Sequence, residues 1–200
     1  MNALDYIKDK YGVDYNQESP IHLDGESFAG FLNALGVKVG AEIGTERGGF
    51  AKVLCERIPG LKLYCIDSYA AYDKNYRRKY RQRHHNRIHA EAKKRLEEYD
   101  CTIIRGFSMD VVKQFDDESL DFVFIDANHE FQNCANDIAA WSKKVKPGGI
   151  ISGHDYIRVT LREELIEVVD AVNGWTRAKN IKPWFVFNGD KGPCWLWIKS

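Results

Sequence analysis

Two short segments of the 200-residue chain concentrate side chains that move protons or hold cations. Phe124-Ile-Asp-Ala-Asn-His-Glu-Phe131 sets Asp126 and His129 three apart after an apolar run, and Gly153-His154-Asp155-Tyr156 follows a second such run. An imidazole whose ordinary pKa is about 6.5 accepts a proton at neutral pH, so His129 is a candidate base. Asp126 and Asp155 are carboxylates of the kind a hard divalent cation takes, whereas nitrogen at His154 suits a transition metal better than Mg2+. Either His154 is a third ligand to a metal other than Mg2+, or it is a second base, or no metal binds. The plain alternative is a turn or helix cap for Asp126 and polar turn chemistry for the two histidines. A third segment, Val39-Gly-Ala-Glu-Ile-Gly-Thr-Glu-Arg-Gly-Gly-Phe50, is a glycine-rich turn. Gly44 and Gly48 let backbone N–H groups approach a ligand closely, with Thr45 inside the turn. Glu42 beside it would repel a diphosphate and suits a ligand carrying ammonium or sulfonium charge, which separates the segment from a GxGxxG dinucleotide turn. Asp67 lies about twenty residues beyond the glycines, at the end of Leu61-Lys-Leu-Tyr-Cys-Ile66, where a carboxylate accepts ribose hydroxyls, with Ser68 next to it. Its bland reading is an N-cap for the residues that follow.

Elements that would hold these residues on one edge are readable from patterning. Strands are expected at Val37–Ile43, Leu61–Ile66, Cys101–Ile104, Leu120–Ile125 and Gly149–Ser152, alternating with helices at Gly49–Arg57, within Ala70–Tyr99, at Met109–Phe115 and at Phe131–Val145. Such alternation writes a parallel sheet with crossover helices, whose ligands sit at the carboxyl ends of the strands. Leu161, Leu165, Val168, Val169 and Val172 share one face at helical spacing, which predicts a helix over Leu161–Val172. Two apolar runs, Pro183–Asn188 and Pro193–Ile198, flank Gly189-Asp-Lys-Gly192 and read as a terminal β-hairpin. Residues 1–36 read as one or two covering helices, with Phe28, Phe31, Leu32 and Leu35 as the apolar stripe and Gly36 as a stop.

A parallel run closed by an antiparallel hairpin resembles the class I S-adenosylmethionine-dependent methyltransferases from about Val37 onward. That resemblance implies an α/β fold, a Rossmann-like doubly wound seven-stranded sheet, mostly parallel with a C-terminal antiparallel hairpin. Gly106-Phe-Ser-Met-Asp110 looks like the adenine-contacting turn of catechol-type O-methyltransferases, which implies that Ser108 and Met109 lie against the adenine; Ser108 alternatively caps the helix after it. Phe124-Ile-Asp-x-x-His129, together with Asp137, Trp141, Lys146-Pro-Gly-Gly149 and His154-Asp155, is similar to the small metal-dependent methyltransferases of the macrolide-sugar type (methyltransferase family 24). The likeness implies a cofactor site of Glu42, Gly44, Thr45, Gly48, Asp67, Ser68, Ser108, Met109 and Asp126. It also implies a metal, Mg2+ or another divalent ion, on Asp126, His154 and Asp155, with His129 and Asp126 catalytic. No Asn/Asp-Pro-Pro-aromatic sequence follows the fourth strand, which favours an oxygen acceptor over a base or amide nitrogen. The expected activity is O-methyl transfer to a small hydroxylated molecule such as a sugar or polyketide. A non-catalytic cofactor-binding scaffold and a nucleotide-cofactor oxidoreductase are the competing readings.

Composition bounds the rest. Lysine plus arginine and aspartate plus glutamate number 29 each, so no global field favours nucleic acid or an anionic membrane. Five cysteines without a CxxC pair read as reduced core thiols, and the absence of a signal-like N-terminus or a long apolar run points to a cytoplasmic protein of one domain over 1–200. Against this even balance, Lys74 to His89 hold seven lysines and arginines and no acid. Tyr72, Tyr76 and Tyr80 recur every four residues there, giving a basic helical insert over 70–99 that reads either as a lid for an anionic acceptor or as a solvated crossover helix. Nucleic acid is not the expected partner.

Overall fold

A computed structural model of the chain describes residues 2–24, 27–71, 82–161, 164–189 and 192–200. Five strands, β2 (Val39–Ile43), β3 (Lys62–Asp67), β4 (Cys101–Arg105), β5 (Leu120–Ile125) and β6 (Val145–Gly153), pair in parallel in the order β6-β5-β2-β3-β4. Their side chains are mostly Val, Ile, Leu and Phe with few polar breaks, as a sheet covered on both faces requires. Two further strands, β9 (Phe185–Gly189) and β10 (Gly192–Ile198), form the expected antiparallel hairpin, with β10 antiparallel to β6. An eighth strand, β1 (Ile21–Leu23), adds itself in parallel to β9 at the sheet's far edge. It was not foreseen, because three residues behind a proline carry no periodicity.

Helices cover both faces. On one, α1 (Ala3–Tyr11), α2 (Phe28–Ala34), α3 (Gly49–Arg57) and α4 (Gln82–Leu96) bury Ile7, Phe31, Leu54 and Leu96 against Leu63, Phe122 and Phe124. On the other, the short α5 (Ser108–Val111), α6 (Phe131–Trp141) and α7 (Val168–Ala178) bury Val111, Ile138, Trp141 and Val172 against Val123, Ile151 and Trp195. Each such large side chain contributes roughly 1.5–3 kcal/mol by leaving water. The doubly wound architecture is thus as expected.

One expectation fails. Leu161 and Leu165 lie not in a helix but in a two-stranded ribbon, β7 (Arg158–Leu161) with β8 (Glu164–Glu167), and the helix starts only at Val168. Helical spacing of five apolar residues was satisfied by accident, because β-branched Val159, Thr160 and Ile166 prefer extended backbone and pair across the ribbon. The basic insert is helical from Gln82 onward, while Tyr72, Tyr76 and Tyr80 lie outside the described residues.

Candidate active site

Strand order reverses between β2 and β5, and the two loops leaving these strands meet there. Gly44 makes the meeting possible. Its φ is +100°, and a Cβ on it would stand 1.9 Å from the carbonyl oxygen of Asp126. Asp126 N–H donates to the Ile43 carbonyl (2.7 Å), and Gly44 N–H to that of Ile66 (2.8 Å), so three strand ends are tied together. Gly48, at φ +70°, then opens α3.

Glu42 points into this region and is buried, at 2% exposure. Among the described residues its Oε2 and the Thr45 Oγ1 lack a partner of good hydrogen-bond geometry. Burial, aided by the fields of Asp126 and Asp67, pushes the Glu42 carboxyl up to about 8. A buried acid with an unmet oxygen is costly unless a ligand supplies the donor.

Asp67 does not cap a helix. One carboxylate oxygen accepts from Glu46 N–H (2.8 Å) and the other from Tyr69 N–H (2.8 Å), closing a turn and holding the glycine loop. Tyr69, fully buried, reinforces this by donating its hydroxyl to the Glu46 carbonyl at 2.9 Å. Each carboxylate oxygen retains a lone pair. Ser68 accepts from Ala70 N–H at 3.3 Å. Sequence reading missed Tyr69, whose only signal is an aromatic residue two past a strand-end acid.

Ser108 opens α5, yet its hydroxyl makes no cap. It donates to the buried Asp137 of α6 and accepts from Trp141 Nε1 at 2.8 Å. Burial raises the Asp137 carboxyl to about 6 against the pull of Ser108. Asp137 and Trp141, one helical turn apart, therefore fasten the loop that exposes Phe107 and Met109.

The four catalytic candidates gather at the ends of β5 and β6. His129 Nε2 is 3.3 Å from Asp126 Oδ1 and 3.3 Å from Asp155 Oδ2, and Asp155 Oδ1 is 2.9 Å from His154 Nδ1. Burial pulls the His129 imidazole down, but the Asp126 hydrogen bond and the charges of Asp126 and Asp155 outweigh it and leave the pKa raised. The two histidines hold the Asp155 carboxyl below its ordinary value despite partial burial. Asp126, His154 and Asp155 can each turn one donor atom to within 4.8 Å of the others, a two-carboxylate, one-imidazole set compatible with a divalent ion. Glu167 steadies the loop from outside: its N–H donates to the His129 carbonyl (2.8 Å), and its carboxylate accepts from Phe131 N–H (3.1 Å) at the start of α6. No sequence signal marked Glu167.

The doubly wound sheet thus carries, on one edge, a buried acid behind a glycine turn and a carboxylate–histidine cluster. The model of methyltransferase family 24, described as a methyltransferase domain, matches residues 41–156, more than half the chain; the chain belongs to this family and is a methyltransferase. Among solved structures it is similar to an O-methyltransferase from Bacillus cereus in complex with S-adenosylhomocysteine, at 18% identity and TM-score 0.60 over 98% of this chain and 89% of that one. It is also similar to the O-methyltransferase TomG of Streptomyces achromogenes, involved in tomaymycin synthesis and bound to S-adenosylmethionine, at 17% identity and TM-score 0.61 over 99% and 90%. At these identities the likeness is one of fold. No curated protein sequence matches the chain. No helix among the described residues is long and apolar enough to cross a membrane.

Proposed function

We propose that the chain is an S-adenosylmethionine-dependent O-methyltransferase for a small hydroxylated acceptor, with His129 as general base. The observation that carries this reading is His129 standing 3.3 Å from both Asp126 and Asp155 on the strand edge where Gly44 touches the Asp126 carbonyl. S-adenosylmethionine supplies the methyl group as an electrophile on sulfonium. On this reading Glu42 and Thr45 turn their unpartnered oxygens to the cofactor's amino-acid end, and the remaining lone pairs of Asp67 accept ribose hydroxyls. Gly44 lets the loops after β2 and β5 close on one another, and Gly48 lets the start of α3 pack on Leu96. Ser108, locked by Asp137 and Trp141, holds Met109 at the adenine face.

His129 takes the acceptor's hydroxyl proton, and Asp126 and Asp155 stabilise the imidazolium that results. Asp126, Asp155 and His154 fit a divalent cation, which when bound lowers the pKa of acceptor oxygens. Nitrogen at His154 favours a transition metal over Mg2+ in that place.

The test is methyl transfer from labelled S-adenosylmethionine to a panel of phenolic, sugar and polyketide alcohols, with and without exhaustive chelation. Transfer that survives chelation would remove the metal and leave the base; cofactor binding with no transfer in wild-type protein, with or without added divalent ions, would make the chain a scaffold.

A further inference from the structure

Away from the site, on the face covered by α3, the Cys55 Sγ of that helix lies 3.3 Å from the Cys101 Sγ at the start of β4. Both thiols are half-buried and neither is bridged. Cys101 sits beside Leu63 in the β3–β4 register, and a link from it to Cys55 would tie α3 to β4 and close a loop containing β3 and α4. From the carboxyl-edge loops the pair is separated by the length of the strands. No step of methyl transfer uses it.

We propose that Cys55 and Cys101 are a reversible oxidation site, forming an intramolecular disulfide by exchange with a low-molecular-weight disulfide such as oxidised glutathione. The sulfurs already face one another and need approach only from 3.3 Å to about 2.05 Å. Cys101 is the sulfur that reacts first. The Cys55 thiol in contact with it favours its ionisation, although Cys65 and burial together push Cys101 up to about 12; Cys55 is raised further by that contact and by burial. Cys101 as thiolate attacks one sulfur of the reagent, whose S–S bond breaks and releases one small thiol. Cys55 then surrenders its proton and attacks the Cys101 Sγ of the mixed disulfide, expelling the second small thiol. Two protein thiols lose two electrons and two protons, and the reagent is reduced to two thiols.

The experiment incubates folded full-length protein with oxidised glutathione at pH 8 and counts thiols after denaturation. Free thiols should fall from five to three, peptide mapping should join Cys55 to Cys101, and dithiothreitol should reverse both changes. The initial rate should rise about tenfold per pH unit from 7 to 9, following the thiolate fraction. The oxidised protein should melt about 10 °C higher, because the strap closes a long loop in the unfolded chain. Cys65→Ser should form the same link, and Cys55→Ser should stop at a glutathione adduct on Cys101. Five surviving thiols, a Cys65–Cys101 link, or adducts without the bridge would each overturn the proposal.

Discussion

The loops after β2, β3 and β4 and those after β5 and β6 share one edge of the sheet, but they treat polar groups in opposite ways. In the first set, backbone N–H groups and glycines do most of the shaping, and a buried acid and hydroxyl, Glu42 Oε2 and Thr45 Oγ1, are left without partners among the described residues. In the second set the ionisable groups satisfy one another: His129 lies between Asp126 and Asp155, and Asp155 also reaches His154. On the proposed reading a donor-bearing, cationic cofactor binds the first half, so binding there should supply the donors these oxygens lack. The second pairs its groups with one another, so chemistry there requires a proton or cation to be exchanged.

The largest effect should come from Gly44→Ala, which strikes the seam between the halves. Its Cβ would meet the Asp126 carbonyl at 1.9 Å on a backbone with φ +100°, and we expect a loss on the order of 4 kcal/mol or more in urea unfolding together with loss of cofactor binding. A wild-type midpoint would show that the seam does not join the halves. Next, His129→Gln should lower kcat by about 100-fold or more while cofactor affinity changes less than about twofold, if catalysis and binding divide as described. In wild-type enzyme the acid limb of the pH–rate profile should lie above the ordinary imidazole value, because Asp126 and Asp155 raise it; Asp155→Asn should move that limb to lower pH.

A smaller effect concerns Glu42. Its folded-state pKa of about 8 stands above the ordinary carboxyl value of 4.5, so ligand-free protein loses stability as pH rises from 4.5 to 8, and Glu42→Gln should flatten that fall in thermal melts. Binding a cation there should release a proton, seen as buffer-dependent heat in calorimetry at pH 7, and the variant should bind about tenfold more weakly with no release. Last, Asp137→Asn should raise KM for the cofactor by only about fivefold, since the Ser108 hydroxyl keeps an amide acceptor and the Trp141 donor.

Much of the arrangement was legible before any coordinates. The runs ending at Ile43, Ile66 and Ile125 are apolar and β-branched, alternate with amphipathic segments, and end in the residues that could do chemistry, so their gathering on one edge follows from parallel connectivity. The β7–β8 ribbon was not legible, since Arg-Glu between Leu161 and Glu164 lacks the glycine or asparagine that marks a tight hairpin turn, and the apolar spacing imitated a helix. At the site, Asp126, His129 and Asp155 were found as types at strand ends. Asp137, Trp141 and Glu167 were not given roles, because each acts on a loop from a helix or strand distant in sequence, and only packing decides which donor it meets. Ser108 illustrates the same limit: a serine opening a helix suggests a cap, yet a buried carboxylate on α6 takes its hydroxyl instead.

The pairing of β1 with β9 carries a consequence for the order in which the molecule is assembled. Ile21 has its backbone partner at Phe185, and Asp24 accepts from the Asn188 side chain at 3.0 Å, so an early segment must wait for one made almost a whole chain later. During synthesis the parallel strands can begin to associate while Ile21–Leu23 stays unpaired, and non-local closure of this kind is slow. Once docked, the strand covers an open sheet border with only three residues, too short to offer other chains a long template for lateral growth.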